Sequence, residues 1–565
     1  MPEIITIGKQ NFEKLRKEHC FYIDKTHFIK EWWERKDDVT LITRPRRFGK
    51  TLNISMVEQF FSIQYANRGD LFEGLSIWKE EKYRKLQGTY PVISISFANV
   101  KEKSYAKTKE RINQLISQIY ANFDFLLDSP ALTEHDKKYF TDVSENVLNL
   151  PDTILTMSLH KLARLLYKHY NKRVIILLDE YDTPMLEAYV HDYWEELVYF
   201  MRNLFNSTFK TNPYLERALM TGITRVSRES IFSDFNNPKI ITTTSNEYAT
   251  SFGFTEIEVF HSLKTFGYDD MKEDIKKWYD GFVFGQQTDI YNPWSILNFL
   301  DTGKFAPYWA NTSSNALIEK LIKRGSYQIK IIMEDLLKGN TFFTELDEQI
   351  VFSDLDENEN AIWSLLVASG YLKVINVVQD MESGICTYEL QLTNKEVRLM
   401  FQTMIKKWFA KGSRSYYNDF IKALLLGDVK AMNTYMNRVA LNTFSSFDTS
   451  NHPSEYTEPE RFYHGFVLGL MVDLADRYTL LSNRESGFGR YDVVLEPKNT
   501  EDDAIILEFK VHDESDEKTL ADTVSAALEQ IEEKQYAAGL IAKGIAENKI
   551  RKYGFAFEGK KVLIG

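Results

Sequence analysis

Cysteine is almost absent from this chain. Cys20 and Cys386 are the two it has in 565 residues. Being few and far apart, they exclude a disulfide framework and a cysteine-built zinc site. Long apolar runs are missing as well. Val174 to Leu178 is typical of those present, far short of the roughly 20 residues that span a bilayer. The opening MPEIITIGKQNFEK lacks the basic-then-apolar order of a signal peptide. These absences together predict a soluble, cytoplasmic protein with no membrane partner. Nor is positive charge in excess. Lys and Arg number 69 against 81 Asp and Glu, a formal charge of −12. That excludes attachment to nucleic acid by bulk charge and leaves room for a local basic groove. Internal repeats and low-complexity segments are also missing.

What is present suits packed cores: 44% hydrophobic and 14% aromatic residues, with an ordinary 27% charged. A single core rarely grows past about 250–300 residues, so several domains are expected. Residues 1–255 alternate apolar strand runs with helix-prone stretches, the pattern of a parallel sheet covered on both faces. The strand candidates are Val39–Thr43, Val92–Phe97, Val174–Leu178, Arg217–Thr221 and Lys239–Thr244. Residues 124–150 read as a polar, irregular insertion, and Glu256–Asn311 as helical with aromatic clusters. Residues 361–392 read as helix, strand, turn, strand, which is winged-helix-like. The polar, proline-containing DTSNHPSEYTEPE at 448–460 reads as a linker. The expected domains are therefore 1–255, 256–445 and 446–565.

Two constellations carry chemistry. The first begins in LITRPRRFGKT, Leu41 to Thr51. A strand runs into Gly49-Lys50-Thr51 at the start of a helix, as in a phosphate loop. The usual first glycine is missing, and Arg44 stands in its place, followed by Pro45, which fixes one backbone angle. Read alone, the stretch is equally a basic turn holding some anion through Arg44, Arg46 and Arg47. VIILLDE then sets Asp179 at the C-terminal end of a buried strand, where ligands of parallel sheets collect. Asp179 can hold Mg²⁺ with Thr51, and Glu180 can orient an attacking water. Thr221 at the next strand end and Arg225 just after it are candidates for sensing the γ-phosphate. The expected nucleotide-binding residues are Arg46, Arg47, Phe48, Gly49, Lys50, Thr51, Asp179, Thr221 and Arg225, with ATP as cofactor. Asp24-Lys25 in YIDKT reads either as a helix-capping turn or as a contact to the base.

The second constellation is GRYDVVLEPKNTEDDAIILEFKV. A hairpin of its two apolar runs pairs Asp492 with Glu508, Val494 with Ile506 and Arg490 with Lys510. Asp492, Glu508 and Lys510 then share one face. Two directly opposed carboxylates repel unless something compensates them. A Mg²⁺ or Mn²⁺ ion on oxygen ligands would do so and would assist phosphodiester hydrolysis. Downstream, ALEQIEEKQYAAG is a helix presenting Gln530 towards a phosphate or the lysine. Upstream, Glu460 and His464 lie four apart on a helix, and Glu460 is a further metal-ligand candidate.

These stretches resemble a largely uncharacterised bacterial family with an AAA-ATPase-like N-terminal domain and a PD-(D/E)XK nuclease-superfamily C-terminal domain. The matching segments are YIDKTHFI, LITRPRRFGKTL, VIILLDEYDTP, MTGITRVSRESIFSDFNN, YDGFVFG, YNPWSIL, SGYL, FYHGF, GRYDVVL, ILEFK and QYAAG. They span nearly the whole chain, and the arginine in place of the first loop glycine is part of the family pattern. The resemblance implies an α/β protein: a P-loop NTPase parallel sheet, a helical and winged-helix middle, and a restriction-endonuclease-like C-terminal domain. Lys50, Thr51, Asp179 and Glu180 fall on its ATPase motifs, and Asp492, Glu508 and Lys510 on its nuclease motif. The activity expected is ATP-gated, Mg²⁺-dependent cleavage of nucleic acid, with DNA favoured and a homo-oligomer as a further expectation. The alternative is a nucleotide-switched signalling or scaffold protein whose nuclease-like domain binds without cutting. Its support is the acidic C-terminal domain, with 23 acidic against 14 basic residues over 446–565. A helicase-like motor, suggested by DEYD, lacks a second ATPase core.

Overall fold

Five short runs of aliphatic and β-branched residues build the first sheet. They are β1 (Val39–Thr43), β2 (Val92–Ser96), β3 (Val174–Asp179), β4 (Leu215–Gly222) and β5 (Pro238–Ile241). In this computed structural model all pairs are parallel and the order is β2-β3-β4-β1-β5. The residues described are 4–565, without 147–149, 225–237, 311–315, 348–359, 409–413, 448–456, 485–490, 500, 514–516 and 560. β1 and β3 are buried along their whole length, as expected for strands with both faces covered. β4 lies between them and pairs Met220 with both Leu41 and Leu178. The loop after β1 and the acid ending β3 thus emerge at the same edge of the sheet. Residues 1–313 with 343–397 form one compact unit, and 314–342 with 398–565 a second.

Two stretches of the first unit differ from the sequence reading. The supposed irregular insertion contains the helix Glu134–Glu145. Its polar residues are used locally: Thr133 and Asp136 form a capping box, while Phe140 and Val143 are buried one turn apart. Residues 256–311 are not uniformly helical. The helices Glu256–Thr265, Lys272–Tyr279 and Pro293–Thr302 enclose a sheet ordered β6-β8-β7, made of β6 (Phe254–Thr255), β7 (Phe282–Phe284) and β8 (Gln287–Tyr291). Aromatic residues here pack as a core around Tyr279, Tyr291 and Phe299, so composition alone did not separate strand from helix. The expected helix-strand-strand order further on is present. It comprises the helix Asn360–Ala368, β10 (Leu372–Gln379) and β11 (Cys386–Leu392), in a sheet ordered β10-β11-β9 with β9 at Phe342–Glu345.

The second unit contains the helix Thr457–Asp473, then β12 (Tyr478–Arg484), β13 (Tyr491–Pro497) and β14 (Ala504–Val511) as an antiparallel meander. The helix Leu520–Glu533 crosses over to β15 (Ile550–Glu558), which runs parallel to β14, and β16 (Lys561–Ile564) closes the sheet. β16 is an edge strand, and a row of unpaired amides there would invite another chain. Asn433 and Asn437, four apart on the helix Val429–Phe447, cover it. Each side-chain amide both donates to and accepts from one residue of β16: Asn433 with Ile564 and Asn437 with Val562, at 2.6 to 3.0 Å. Among the described residues no helix is long and apolar enough to cross a membrane.

The double substitution Asn433→Ala/Asn437→Ala frees four backbone groups at this edge. Stability should fall by about 2–4 kcal/mol, read as a lower denaturation midpoint, with faster aggregation near it. An unchanged midpoint would mean that water satisfies the edge equally well.

Candidate active sites

The phosphate loop is defined by where its carbonyls go. Arg44 is fully buried, and its side chain turns away from the loop cavity. Its guanidinium donates to the carbonyls of Thr43, Thr242 and Glu247 at 2.9, 2.6 and 3.2 Å, and lies 4.5 Å from the Phe284 ring centre. Burial pushes this guanidinium down to about 9. Arg44 is therefore not part of an anion-binding basic turn. It fills the volume behind the loop, where a glycine would leave carbonyls unmet. Gly49 caps the helix Lys50–Phe61 with φ 81°, and Arg47 is also left-handed at 66°. These turns direct successive N–H groups at the helix N-terminus, where an anion is favoured.

Lys50 is buried and donates to the carbonyls of Arg44 and Pro45, both at 2.8 Å. Burial lowers its pKa to about 8, against the pull of Glu180, Asp182 and Asp179. Thr51 and Thr221 donate their hydroxyls to the two oxygens of Asp179, at 2.7 and 2.6 Å. Burial raises Asp179 above the usual carboxylate range while those two hydrogen bonds lower it. Four of the expected residues thus meet in one place. Glu180 follows with φ 51° and accepts from Thr183 at 3.1 Å. Arg225 lies outside the described residues.

Other residues of the expected set act through their backbone or their neighbours. Phe48 has its ring buried against Phe282 and Phe284, with centres 4.8 and 5.4 Å apart, so only its main chain faces the loop. Arg47 stacks over Trp294 at 4.3 Å. The Arg46 carbonyl accepts from Asn292 at 3.2 Å and from the Trp309 indole at 3.0 Å. Asn292 also caps the helix Pro293–Thr302 through its other amide atom. Glu396 is fully buried and accepts from Trp309, Ala310 and Ser295. Burial pushes it up to about 7 although three donors converge on it. Asp182 accepts from the backbones of Ile223 and Thr224 at 2.8 Å, which fixes the turn after β4.

The cap in YNPW was readable as a helix start. Its second contact, to the loop, was not, and neither were the parts played by Asp182, Trp309 and Glu396. Asp24 accepts from Thr26 and Ser76, while Lys25 pairs with Glu258 at 2.7 Å. The YIDKT turn is accordingly a structural tie.

In the second unit the hairpin has the anticipated register, with Asp492 opposite Glu508 and Val494 opposite Ile506. Glu508 is fully buried. Lys510, two residues on and so on the same face, donates to the carbonyl of Ala526 at 3.1 Å. Gln530 lies one turn beyond Ala526 on the helix Leu520–Glu533. It is buried, and its amide nitrogen has no hydrogen-bond partner among the described residues. Ala504, Ile506 and Ile531 pack together on this same side. Glu508, Lys510 and Gln530 are therefore gathered between strand and helix. Phe509 points the other way, against Phe466 and Phe555. His464 is buried on the helix Thr457–Asp473. The side chains of Asp492 and Glu460, and all of Arg490, lie outside the described residues. A fully buried carboxylate directly across from a second acid position, with an amine two residues away, fits a divalent cation held by oxygen ligands.

Comparison with known proteins agrees with this division. Residues 6–232 match the family described as predicted AAA-ATPase, and residues 458–565 match the PD-(D/E)XK nuclease superfamily. An uncharacterized protein from the vnfD 5' region of Azotobacter chroococcum mcd 1 is 25% identical over 405 residues, covering 70% of this chain and 68% of that protein.

Arg44→Gly would restore the usual loop glycine. It should nonetheless destabilise the protein by about 3 kcal/mol or more, because it strands buried carbonyls and opens a cavity. Thermal unfolding of the variant against the parent measures this; a gain in stability would show that Arg44 does not hold the loop.

Proposed function

We propose, from the premise that this chain joins a domain of the predicted AAA-ATPase family to one of the PD-(D/E)XK nuclease superfamily, that it is an ATP-gated, metal-dependent nuclease. The observation that carries the nuclease half is the register that sets position 492 against buried Glu508, on the face of Lys510 and Gln530. Asp492 and Glu508 would hold Mg²⁺ or Mn²⁺. When bound, that ion polarises the scissile phosphate and lowers the pKa of water. Lys510 orients the attacking water and balances charge developing on the phosphate. Gln530 has a free amide to donate to a phosphate oxygen. Glu460 is a further candidate ligand.

In the first unit Lys50 occupies the loop carbonyls and moves from them to the β- and γ-phosphates when nucleotide binds. Thr51 and Asp179 would hold Mg²⁺, Glu180 positions the hydrolytic water, and Thr221 reports the γ-phosphate to the end of β4. The backbone amides of Arg46 to Gly49 cradle the anion. Closure around ATP draws in the segment that carries Asn292 and Trp309, because both already hold the Arg46 carbonyl. The helix-strand-strand motif at Asn360–Leu392 is the candidate relay or DNA grip. DNA is the favoured substrate.

The alternative of a non-cleaving, nucleotide-switched scaffold has one specific observation in its favour, the excess of acids over 446–565, which weakens any salt-stable grip on a polyanion.

The deciding experiment incubates the full chain with single- and double-stranded DNA and RNA, with and without ATP, in Mg²⁺ and in Mn²⁺. Cleavage should require metal and rise with ATP. Asp492→Ala should reduce it by about 10³-fold or more while ATP turnover persists, and Lys50→Ala should abolish nucleotide binding. Cleavage that survives Asp492→Ala would overturn the site; binding without product under every condition would select the scaffold reading.

A further inference from the structure

A second cluster of acids lies in the first unit, outside its nucleotide site. One oxygen each from Glu256, Asp280 and Asp289 lies within 4.8 Å of the others. They arrive from three elements: Glu256 opens the helix Glu256–Thr265, Asp280 follows the helix Lys272–Tyr279, and Asp289 sits in β8 with a left-handed φ of 57°. Lys276 reaches into the cluster, 2.5 Å from Glu256 and 3.2 Å from Asp289, but 4.0 Å from Asp280. Asp280 is the most buried of the three acids, and one of its oxygens has no hydrogen-bond partner among the described residues. Tyr291, fully buried in β8, faces the same carboxylates; its hydroxyl lies beside Glu256 and has no well-aligned hydrogen-bond partner among the described residues. Two buried polar atoms at the cluster are thus left without an aligned partner, and Lys276 satisfies neither.

Charge sharpens the point. The cluster holds three carboxylates against two ammonium groups, Lys276 and the more buried Lys373, whose charge acts on Asp280 and Asp289. With all three carboxylates ionised, one negative charge is left over. Burial, with the Asp289 carboxylate beside it, pushes Asp280 up to about 7. Lys276 is 42% exposed and free to swing into solvent. A divalent ion in its place would bring the total to zero. The spread of the oxygens, within 4.8 Å, admits an ion as large as Ca²⁺. Ligands facing each other across Ca²⁺ are up to about 5 Å apart, whereas across Mg²⁺ they are about 4 Å apart.

We propose that Glu256, Asp280 and Asp289, with the Tyr291 hydroxyl beside them, form a binding site for a divalent cation of Ca²⁺ size, and that Lys276 is its displaceable stand-in. Water completes the coordination on the open side. The position gives the ion a role. Asp280 is followed by Gly281 and Phe282, whose ring seats Phe48, and Tyr291 by Asn292, which holds the Arg46 carbonyl. Joining the two ends of this hairpin stiffens the clamp on the phosphate loop from behind.

The test uses the full chain carrying Asp492→Ala, without nucleotide, so that neither of the other sites contributes its full set of ligands. Calcium titration calorimetry should find one equivalent bound, together with a rise in melting temperature. Asp280→Asn and Asp289→Asn should each weaken that binding by roughly tenfold or more. Lys276→Met should tighten it by about threefold or more, because the competing ammonium is gone. Asp289 and Lys276 lie at the half-exposed rim, so their variants decide the matter even if Asp280→Asn fails to fold. The proposal is overturned if millimolar Ca²⁺ neither binds nor shifts the melting temperature. It is equally overturned if Asp289→Asn binds as the parent does, or if Lys276→Met leaves the affinity unchanged, which would make the cluster an ordinary ion-pair network.

Discussion

The phosphate loop can receive an anion only if its own carbonyls are kept out of the way, and the first unit is built around that requirement. The Thr43 carbonyl is taken by the Arg44 side chain, those of Arg44 and Pro45 by Lys50, and that of Arg46 by Asn292 and Trp309. Four successive acceptors are thus held on one side, which leaves the N–H groups of the turn for the other. Buried acceptors without donors would cost about 1–3 kcal/mol each. The donors come from the loop itself and from residues 246 and 263 positions later, so the loop geometry is a tertiary property. Glu396 extends the dependence by fixing Trp309, and Gly370 by its closeness to Pro45, where a Cβ would meet the proline ring at 2.8 Å.

This dependence explains why some of the site was legible in sequence and some was not. Lys50, Thr51 and Asp179 announce themselves because their chemistry is tied to the ends of buried strands, and buried strands are visible as apolar runs. Their meeting in one chain of hydrogen bonds, Thr51 to Asp179 to Thr221, follows from the strand order that sets β4 between β1 and β3, which the sequence reading did not supply. Arg44 was the misleading residue. A basic side chain in a basic turn reads as an anion contact, yet its guanidinium is spent on carbonyls and an aromatic ring. Only the distant partners Thr242, Glu247 and Phe284 decide that, and no local pattern points to them. Asn292 is intermediate: Asn before Pro is a plain helix start, but one side-chain amide can serve two masters, and the sequence shows only the nearer one.

The C-terminal unit was more legible because its key contact is local. A hairpin needs only alternation and a turn to fix which residues oppose each other, and Asp492 against Glu508 follows from that period of two. The helix that brings Gln530 over Lys510 lies in the crossover between the parallel strands β14 and β15, a connection with few alternatives. The two asparagines that finish the sheet edge were not legible. Asn433 and Asn437 belong to a helix whose pattern marks its apolar face, and polar residues at helical spacing ordinarily face water. Their partners are backbone atoms at the end of the chain, and backbone atoms leave no trace in sequence.

Aromatic richness in residues 256–311 was read as helical packing and turned out to include the hairpin of β7 and β8. The error has a physical cause. Phe, Tyr and Trp carry similar burial in either structure, so what separates the two is the turn chemistry at Gly281 and Gly285, both with positive φ. Gly281 cannot be replaced cheaply, since a Cβ there would lie 2.1 Å from the Thr393 carbonyl. The hairpin therefore exists because backbone must pass close to backbone at its root. The same close approach brings Phe282 against Phe48 and sets Asp280 and Asp289 side by side. One steric demand thus accounts for both the seat of the phosphate loop and the acid cluster behind it.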